Sequence, residues 1–161
     1  MMSLVVCAYF WYYVQTYTKW HTIIDSANLI FHEAGHSIFP SSVFGMFVNV
    51  LAGSAFQVAL PLLISIYFFC KNQKISGALC LLWVGQNLLN VSIYAADAAK
   101  MQLELLGGDS VIHDWNYILS SLGQLQNASF IASIIYNSGL TFISVGSALA
   151  IYYSWKKEVL T

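Results

Sequence analysis

The chain has 161 residues, the length of a single domain, and only 8% of them are charged. A water-soluble globule normally carries about 25% charged residues, so this composition, with 58% hydrophobic residues, excludes that class and favours an all-α, polytopic membrane protein. The net charge of −1 leaves no basic surface that would bind nucleic acid.

The apolar segments predict four transmembrane helices within a single polytopic membrane domain, residues 1–161. Each is long enough to cross about 30 Å of hydrocarbon, which requires about 20 residues. They are 2–19, 46–70, 75–99 and 126–154. The first of them lacks the basic start and the cleavage site of a secretory signal, so we predict that it is retained.

A shorter and more polar helix is predicted at 22–39, beginning near Asp25 or Ser26 and ending at Pro40. After the third span, the segment 100–125 contains the sequence HDW. It predicts an extracytoplasmic loop or a re-entrant helix after the turn at Gly107-Gly108.

The lysine distribution predicts the orientation in the membrane. If the helices alternate in direction, five of the six basic residues fall on one side, which the positive-inside rule makes cytoplasmic. These five are Lys19, Lys71, Lys74, Lys156 and Lys157. The N-terminus is then outside and the C-terminus cytoplasmic. His32, Glu33, His36, Asp97, His113 and Asp114 all come to the outer end of the bundle.

The sequence NLIFHEAGH, residues 28–36, places an HExxH pattern on the short helix. His32 and His36 are four residues apart and therefore share one helix face, so both imidazoles can bind a single zinc ion (Zn²⁺). In hydrolases of this kind the metal lowers the pKa of a bound water, and Glu33 accepts its proton as general base. Ionisable groups within a membrane domain are costly and indicate function.

A catalytic zinc site requires a third protein ligand. We prefer His113, with Asp114 orienting it or a neighbouring ligand. Asp97 and Asp114 are the alternative third ligands. The HDW sequence also has a structural interpretation, because Trp115 is typical of membrane interfaces.

A polar stripe follows one face of the predicted helix 75–99. Its members are Asn87, Asn90, Tyr94 and Asp97. Such a stripe predicts a face turned towards the bundle interior or a wet cavity. With Asp114, these side chains are candidates for a substrate cleft or for groups that support the metal ligands. Hydrogen bonds between helices are the alternative interpretation of the asparagines.

The HExxH pattern on a membrane helix, followed by an acidic residue on a later membrane helix, resembles the intramembrane zinc metalloproteases of the site-two protease type. The resemblance covers roughly residues 28–99. The resemblance implies that His32 and His36 are zinc ligands and that Glu33 is the base. In that family the third ligand is an aspartate on a later helix, within an Asn-Pro…Asp-Gly motif. Asp97, preceded by Asn90, is the nearest match, although the Pro and the following Gly are absent.

The sequence therefore predicts a membrane-embedded, zinc-dependent endopeptidase that hydrolyses a peptide bond of a membrane-spanning or juxtamembrane protein substrate. The alternative is a non-catalytic, metal-binding accessory or structural subunit of a larger membrane protein complex. The two hypotheses differ in the role of Glu33, because only the enzyme requires it as a general base.

Overall fold

A computed structural model describes residues 2–16, 22–103 and 111–159, and all regular elements within these residues are helices. In chain order they are α1 (Met2–Thr16), α2 (Ile23–Ile38), α3 (Ser41–Phe44), α4 (Met46–Cys70), α5 (Lys74–Asp97), α6 (Asp114–Ser121) and α7 (Ala128–Val159), with a 3₁₀ turn at Leu125–Asn127 before α7. The all-α prediction is confirmed for the described part of the chain. Lys19 and the predicted Gly107-Gly108 turn lie outside it.

Among the described residues, three segments are long and apolar enough to cross a membrane. They are Met46–Cys70, Lys74–Asp97 and Leu125–Lys156, and they agree with the predicted spans 46–70, 75–99 and 126–154. The described part of the first predicted span, 2–19, is α1, whose 15 residues are fewer than the about 20 that a span requires.

Small residues bring the long helices close together. A Cβ at Gly139 of α7 would lie 2.9 Å from the carbonyl oxygen of Gly85 in α5, and one at Gly146 would lie 2.9 Å from that of Ala78. The order of these contacts shows that α7 runs antiparallel to α5. Close packing through small residues is typical of membrane bundles, where van der Waals contact replaces the hydrophobic driving force.

Helix α1 runs antiparallel to α7. The Ser3 hydroxyl lies 2.7 Å from that of Ser154, and farther along the pair Trp11 Nε1 donates to Ser147 Oγ at 3.1 Å. The start of α1 therefore lies beside the end of α7. The predicted alternation of four spans places these two ends on opposite sides of the bundle. Hydropathy indicates the length of each apolar segment but not its direction, which is why the prediction differs.

Helix α2 begins where α1 ends and continues in the same direction. The Tyr13 hydroxyl, near the end of α1, donates to Asp25 Oδ1 in the first turn of α2 at 2.9 Å. Two contacts show that α2 is antiparallel to α4, and hence parallel to α5: His32 with Gln57, and His36 with Asn49. The two helices thus follow one another along the bundle, and α2 ends beside the start of α4.

The start of α2 is set by a capping box. The Thr22 hydroxyl accepts from the backbone N–H of Asp25 at 3.2 Å, and the Asp25 carboxylate accepts from the backbone N–H of Thr22 at 3.1 Å. The predicted N-cap at Asp25 or Ser26 is therefore wrong. Asp25 is the third helical residue and completes the box from inside the helix.

Helix α2 buries its polar side chains and exposes its apolar ones, which is the reverse of a helix on the surface of a water-soluble protein. Its buried residues are Asp25, Asn28, His32 and Gly35, whereas Ile23 is 90% exposed and Ile30 68% exposed. An apolar outer face suits contact with lipid, and the polar inner face must find its partners inside the protein. These partners form the candidate site.

Candidate metal centre

Two glycines allow α2 and α4 to approach at the site. A Cβ at Gly35 would collide with the backbone carbonyl of Ala52, so at this position only glycine allows the two backbones to come so close. One residue later on α4, Gly53 faces the two histidines of α2.

His32 and His36 direct the same ring nitrogen at one carboxylate. Nε2 of His32 lies 2.8 Å from Oδ2 of Asp114, and Nε2 of His36 lies 3.2 Å from the same oxygen. The potential ligand atoms of the three residues all lie within 4.8 Å of one another. We call these three residues the His–His–Asp cluster. It is mostly buried, with 7% of the side chain of His32, 22% of that of His36 and 8% of that of Asp114 exposed.

The other ring nitrogens also face oxygen atoms. Nδ1 of His32 lies 3.3 Å from Oε1 of Gln57, and Nδ1 of His36 lies 2.8 Å from the backbone carbonyl oxygen of Asn49. The amide side chain of Asn49 donates back to the carbonyl oxygens of His36 and Phe39 at 2.8 and 2.9 Å, which caps the end of α2.

This arrangement has a direct chemical consequence. A neutral imidazole has one N–H donor and one lone pair, yet each of these two rings has an oxygen acceptor at both nitrogens. With no cation at Nε2, a neutral ring leaves one of its two nitrogen–oxygen contacts without a hydrogen. A cation between the Nε2 atoms and Asp114 satisfies them instead, with both rings neutral and each Nδ1–H donating to its oxygen.

Gly53 keeps the space between the rings open. A Cβ built on it would lie 2.6 Å from Nε2 of His32 and 2.6 Å from Nε2 of His36. Any larger residue would therefore fill the position between the two nitrogens. The cluster thus combines nitrogen and carboxylate donors, a donor set that suits zinc.

Helix α6 positions the Asp114 carboxylate. The backbone N–H of Asp114 donates to the Tyr94 hydroxyl at 3.0 Å. Trp115 Nε1 donates to Ser54 Oγ on α4 at 3.1 Å, and the Asn116 amide donates to the carbonyl oxygen of Ala98, just after α5, at 2.8 Å. A short helix, α6, thus follows the third apolar helix, and it connects α4 to α5 at the site.

Contacts within the cluster shift the pKa values of His36 and Asp114. The hydrogen bond to Asp114 is the main cause that raises the pKa of His36 above its ordinary 6.5; burial opposes it, and the charges of Asp114 and Glu33 add to the rise. For Asp114, burial is the largest single influence and favours the neutral acid, but the hydrogen bonds and charges of His32 and His36 outweigh it and lower the pKa.

The preferred third ligand, His113, lies outside the cluster. Its Nδ1 accepts from the backbone N–H of Asn116 at 3.2 Å, as the N-cap of α6, and its Nε2 lies 3.2 Å from Oδ2 of Asp97. Asp97 also accepts from the backbone N–H groups of Gln102 and Leu103. The structure therefore corrects the preference: Asp114 joins the two histidines, whereas His113 and Asp97 hold the chain around α6.

The polar stripe of α5 faces the interior as predicted: Asn87, Asn90, Tyr94 and Asp97 are all buried. Asn90 accepts from Gln57 at 2.9 Å, and so supports the residue that contacts His32. Asn87 donates to the backbone of its own helix, and its Oδ1 is buried without a partner. The stripe supports the cluster through Asn90 and Tyr94, and these buried contacts favour support over a substrate cleft.

Glu33 follows His32 on α2, and its side chain is exposed. It is not a member of the His–His–Asp cluster, but its charge acts on His36. Together with the partly exposed ring of His36, it marks the open side of the site.

The α4 residues that face the cluster are not among the site residues predicted from the sequence. Asn49, Gly53 and Gln57 are four residues apart and so share one face of α4. A polar–glycine–polar repeat of this spacing, in a helix that is otherwise mostly apolar, is the signal that identifies the face opposite HExxH.

Comparison with known proteins gives no relative for this chain: no family model, no curated protein and no solved structure matches it.

Proposed function

We propose that the His–His–Asp cluster binds a zinc ion, with Nε2 of His32, Nε2 of His36 and a carboxylate oxygen of Asp114 as the protein ligands. The observation that carries this proposal is the acceptor oxygen at all four ring nitrogens, which neutral histidines satisfy only with a cation at Nε2. Two histidines and one carboxylate are also the protein ligands of several catalytic zinc sites, which leave a further position open.

We further propose that the protein is a membrane-embedded endopeptidase. When bound, zinc supplies a Lewis acid that polarises a carbonyl and lowers the pKa of water to about 7. Glu33 accepts the proton of the attacking water and passes it to the leaving amine. The Nδ1 contacts of the two rings keep their orientation fixed, which saves reorganisation during the reaction.

The surroundings support a substrate that is itself in or beside the bilayer. The outer face of α2 is apolar, with Ile30 68% exposed and Ile38 51% exposed, and Glu33 lies on the same accessible side of the helix. A segment of a membrane-spanning or juxtamembrane protein can approach such a surface without leaving an apolar environment. The resemblance of HExxH to site-two proteases agrees with this class of substrate.

For the orientation, we propose that both described ends of the chain lie on the cytoplasmic side. Lys71, Lys74 and Lys156 cluster at the end of the bundle where Ser3 contacts Ser154, and basic residues favour the cytoplasmic face. The cluster then lies towards the outer face, as predicted, whereas the N-terminus is inside. Tags added at the two termini should be accessible from the same side of sealed vesicles. Access from opposite sides would restore the alternating topology.

Metal content tests the site directly. Purified protein should contain about one zinc ion per chain by elemental mass spectrometry, and His36→Ala and Asp114→Ala should lose it. His113→Ala is the matched control and should retain it, because its ring nitrogens both have partners elsewhere. Absence of zinc from the wild-type protein after growth in zinc would refute the metal site.

Turnover tests the activity separately. Glu33→Gln should retain zinc but lose cleavage of a fluorogenic library of transmembrane peptides in detergent micelles. Equal cleavage by wild-type protein and Glu33→Gln would refute the role of Glu33. Bound zinc without any cleavage would favour the alternative, a metal-binding subunit of a membrane complex.

A further inference from the structure

A deeply buried carboxylate lies at the junction of α1 and α2. Asp25 is 2% exposed and accepts five hydrogen bonds: from the hydroxyl of Tyr13, the amides of Gln86 and Asn90, and the backbone N–H and hydroxyl of Thr22. All five are donated by neutral groups. The carboxylate is thus a fixed acceptor in the interior, where an unpaired charge is very costly.

Two chains of buried amides end on this carboxylate. In the first, Trp83 Nε1 donates to Asn28 Oδ1 at 2.9 Å, Asn28 Nδ2 donates to Gln86 Oε1 at 2.6 Å, and Gln86 Nε2 donates to Asp25 Oδ1 at 2.6 Å. An indole N–H can only donate and a carboxylate can only accept. Both ends of this chain therefore impose the same direction on the amides between them.

The second chain connects Asp25 to the metal centre. Asn90 Nδ2 donates to Asp25 Oδ1 at 3.2 Å, Gln57 Nε2 donates to Asn90 Oδ1 at 2.9 Å, and Gln57 Oε1 lies 3.3 Å from Nδ1 of His32. Asn90 and Gln57 are each 1% exposed, so water does not offer their amides alternative partners.

The direction of the second chain follows from its end. Because Asp25 accepts only, Asn90 must present its NH₂ group there and its oxygen to Gln57. Gln57 must then present its NH₂ group to Asn90 and its oxygen to His32. The oxygen at His32 requires a donor, so the ring proton is held at Nδ1 and the lone pair is left at Nε2, the nitrogen that faces Asp114.

We propose that Asp25, Asn90 and Gln57 are positioning residues that fix His32 as the Nδ1–H tautomer and so make Nε2 a metal ligand. This inference rests on the proposed metal site and assigns a purpose to a buried carboxylate about two helical turns from it. None of the three residues touches the metal position. Each acts through the next amide in the chain.

The tautomer of His32 can be read in zinc-free protein, separately from metal binding. Asp114→Ala removes the carboxylate that competes for the ring proton, and nitrogen-15 spectra of labelled histidine identify the protonated ring nitrogen at a pH where the ring is neutral. The chain has only four histidines, and His32→Gln assigns the signal. In this background we expect Nδ1–H for His32.

Two variants on α5 then form a matched pair. Asn90 and Gln86 are both buried, and both donate an NH₂ group to the same oxygen of Asp25. Asn90→Leu should release Gln57 and allow the proton of His32 to move to Nε2, whereas Gln86→Leu should leave it at Nδ1. The same change in both variants, or in neither, would overturn the proposal.

Zinc affinity provides a second measurement, in protein with Asp114 intact. Gln57→Leu should weaken zinc binding by about 10- to 100-fold, as is typical when the partner of a ligating histidine is removed. Gln57→Glu in its neutral form still donates to Asn90 and offers an oxygen to Nδ1, and should bind near the parent affinity. Equal weakening by both substitutions would indicate a structural role for Gln57 and overturn the proposal.

The two proposals fail in distinguishable ways. A fixed Nδ1–H tautomer in a protein that binds no zinc would refute the metal site and leave the positioning of His32 intact. Zinc bound equally by the parent, Gln57→Leu and Asn90→Leu would refute the positioning and leave the metal site intact.

Discussion

Two of the histidine–aspartate contacts in the described part of the chain, that of His113 and that of His32, differ in kind. His113 contacts Asp97, and its other nitrogen accepts from the backbone N–H of Asn116, so one proton and one lone pair satisfy the whole ring. His32 contacts Asp114, but its other nitrogen faces the oxygen of Gln57.

In each ring, the partner of the nitrogen that faces away from the aspartate determines whether the other nitrogen carries a proton or a lone pair. His113 is complete as a neutral residue and stabilises the start of α6. A neutral His32 ring has one N–H group for two acceptor oxygens, and the same holds for His36. Each ring therefore requires a second proton or a metal ion at Nε2. Distance between a histidine and a carboxylate is therefore a weak criterion for a metal ligand, and the full set of partners is a better one.

The two aspartates provide the strongest test of this comparison. Asp114→Asn should abolish stoichiometric zinc binding, because it removes the anionic ligand. Asp97→Asn should retain zinc but lower the free energy of unfolding by about 1–3 kcal/mol, the usual effect of weakening hydrogen bonds to a charged acceptor. Zinc content and thermal unfolding would be measured on both variants. Loss of zinc from Asp97→Asn alone would reverse the two assignments.

The next test blocks the metal position without changing a ligand. Gly53→Ala introduces a methyl group at 2.6 Å from both Nε2 atoms, so zinc should be lost although all three ligands remain. Gly77→Ala is the control, since the atoms nearest to its Cβ would belong to the ring of Phe69, which can move. Zinc retained in Gly53→Ala would show that the metal does not lie between the two rings.

The pH dependence should have opposite signs with and without zinc. The pKa of His36 is raised above 6.5, so in zinc-free protein its proton stabilises the fold below this value, and the stability is lost as pH rises through the raised pKa. Zinc must displace that proton, so its affinity should rise as the pH increases towards the raised pKa and level off above it. Thermal unfolding with and without zinc would measure both. Parallel slopes would contradict a shared proton and metal position.

The smallest expected effect comes from the cap of α2. Asn49→Ala removes two side-chain hydrogen bonds to the end of the helix and should cost about 1–3 kcal/mol of stability. Zinc affinity should change little, because His36 contacts the backbone oxygen of Asn49, which remains. Ser37→Ala, which removes only an exposed hydroxyl, serves as control. A large loss of zinc affinity in Asn49→Ala, with an unchanged free energy of unfolding, would contradict this prediction.

Much of this arrangement could be predicted from the sequence. The three long helices follow from apolar length, and the pairing of His32 with His36 follows from their spacing on a helix. The burial of Asn90 and Tyr94 follows from a polar stripe on an apolar helix. Each of these inferences needs only the residues of one segment.

The remainder depends on how segments meet, which one segment does not determine. His113 and Asp114 are neighbours, and only the position of the first turn of α6 decides which of them faces α2. The direction of α1 likewise depends on its contact with α7. Gln57 and Asn49 gain their importance solely from facing the two histidines across the contact at Gly35.

The inverted faces of α2 also bear on how the protein assembles. With 16 residues and a buried carboxylate in its first turn, this helix is too short and too polar to enter a bilayer by itself, since a single charged residue at the centre of a membrane costs about 2.5–3.5 kcal/mol on insertion scales. The amides of Gln86 and Asn90 that offset this cost are supplied by α5, which is synthesised later. Residues 22–39 therefore gain these buried partners only after α5 has been synthesised, and a chain interrupted before α5 should leave the HExxH segment accessible to water.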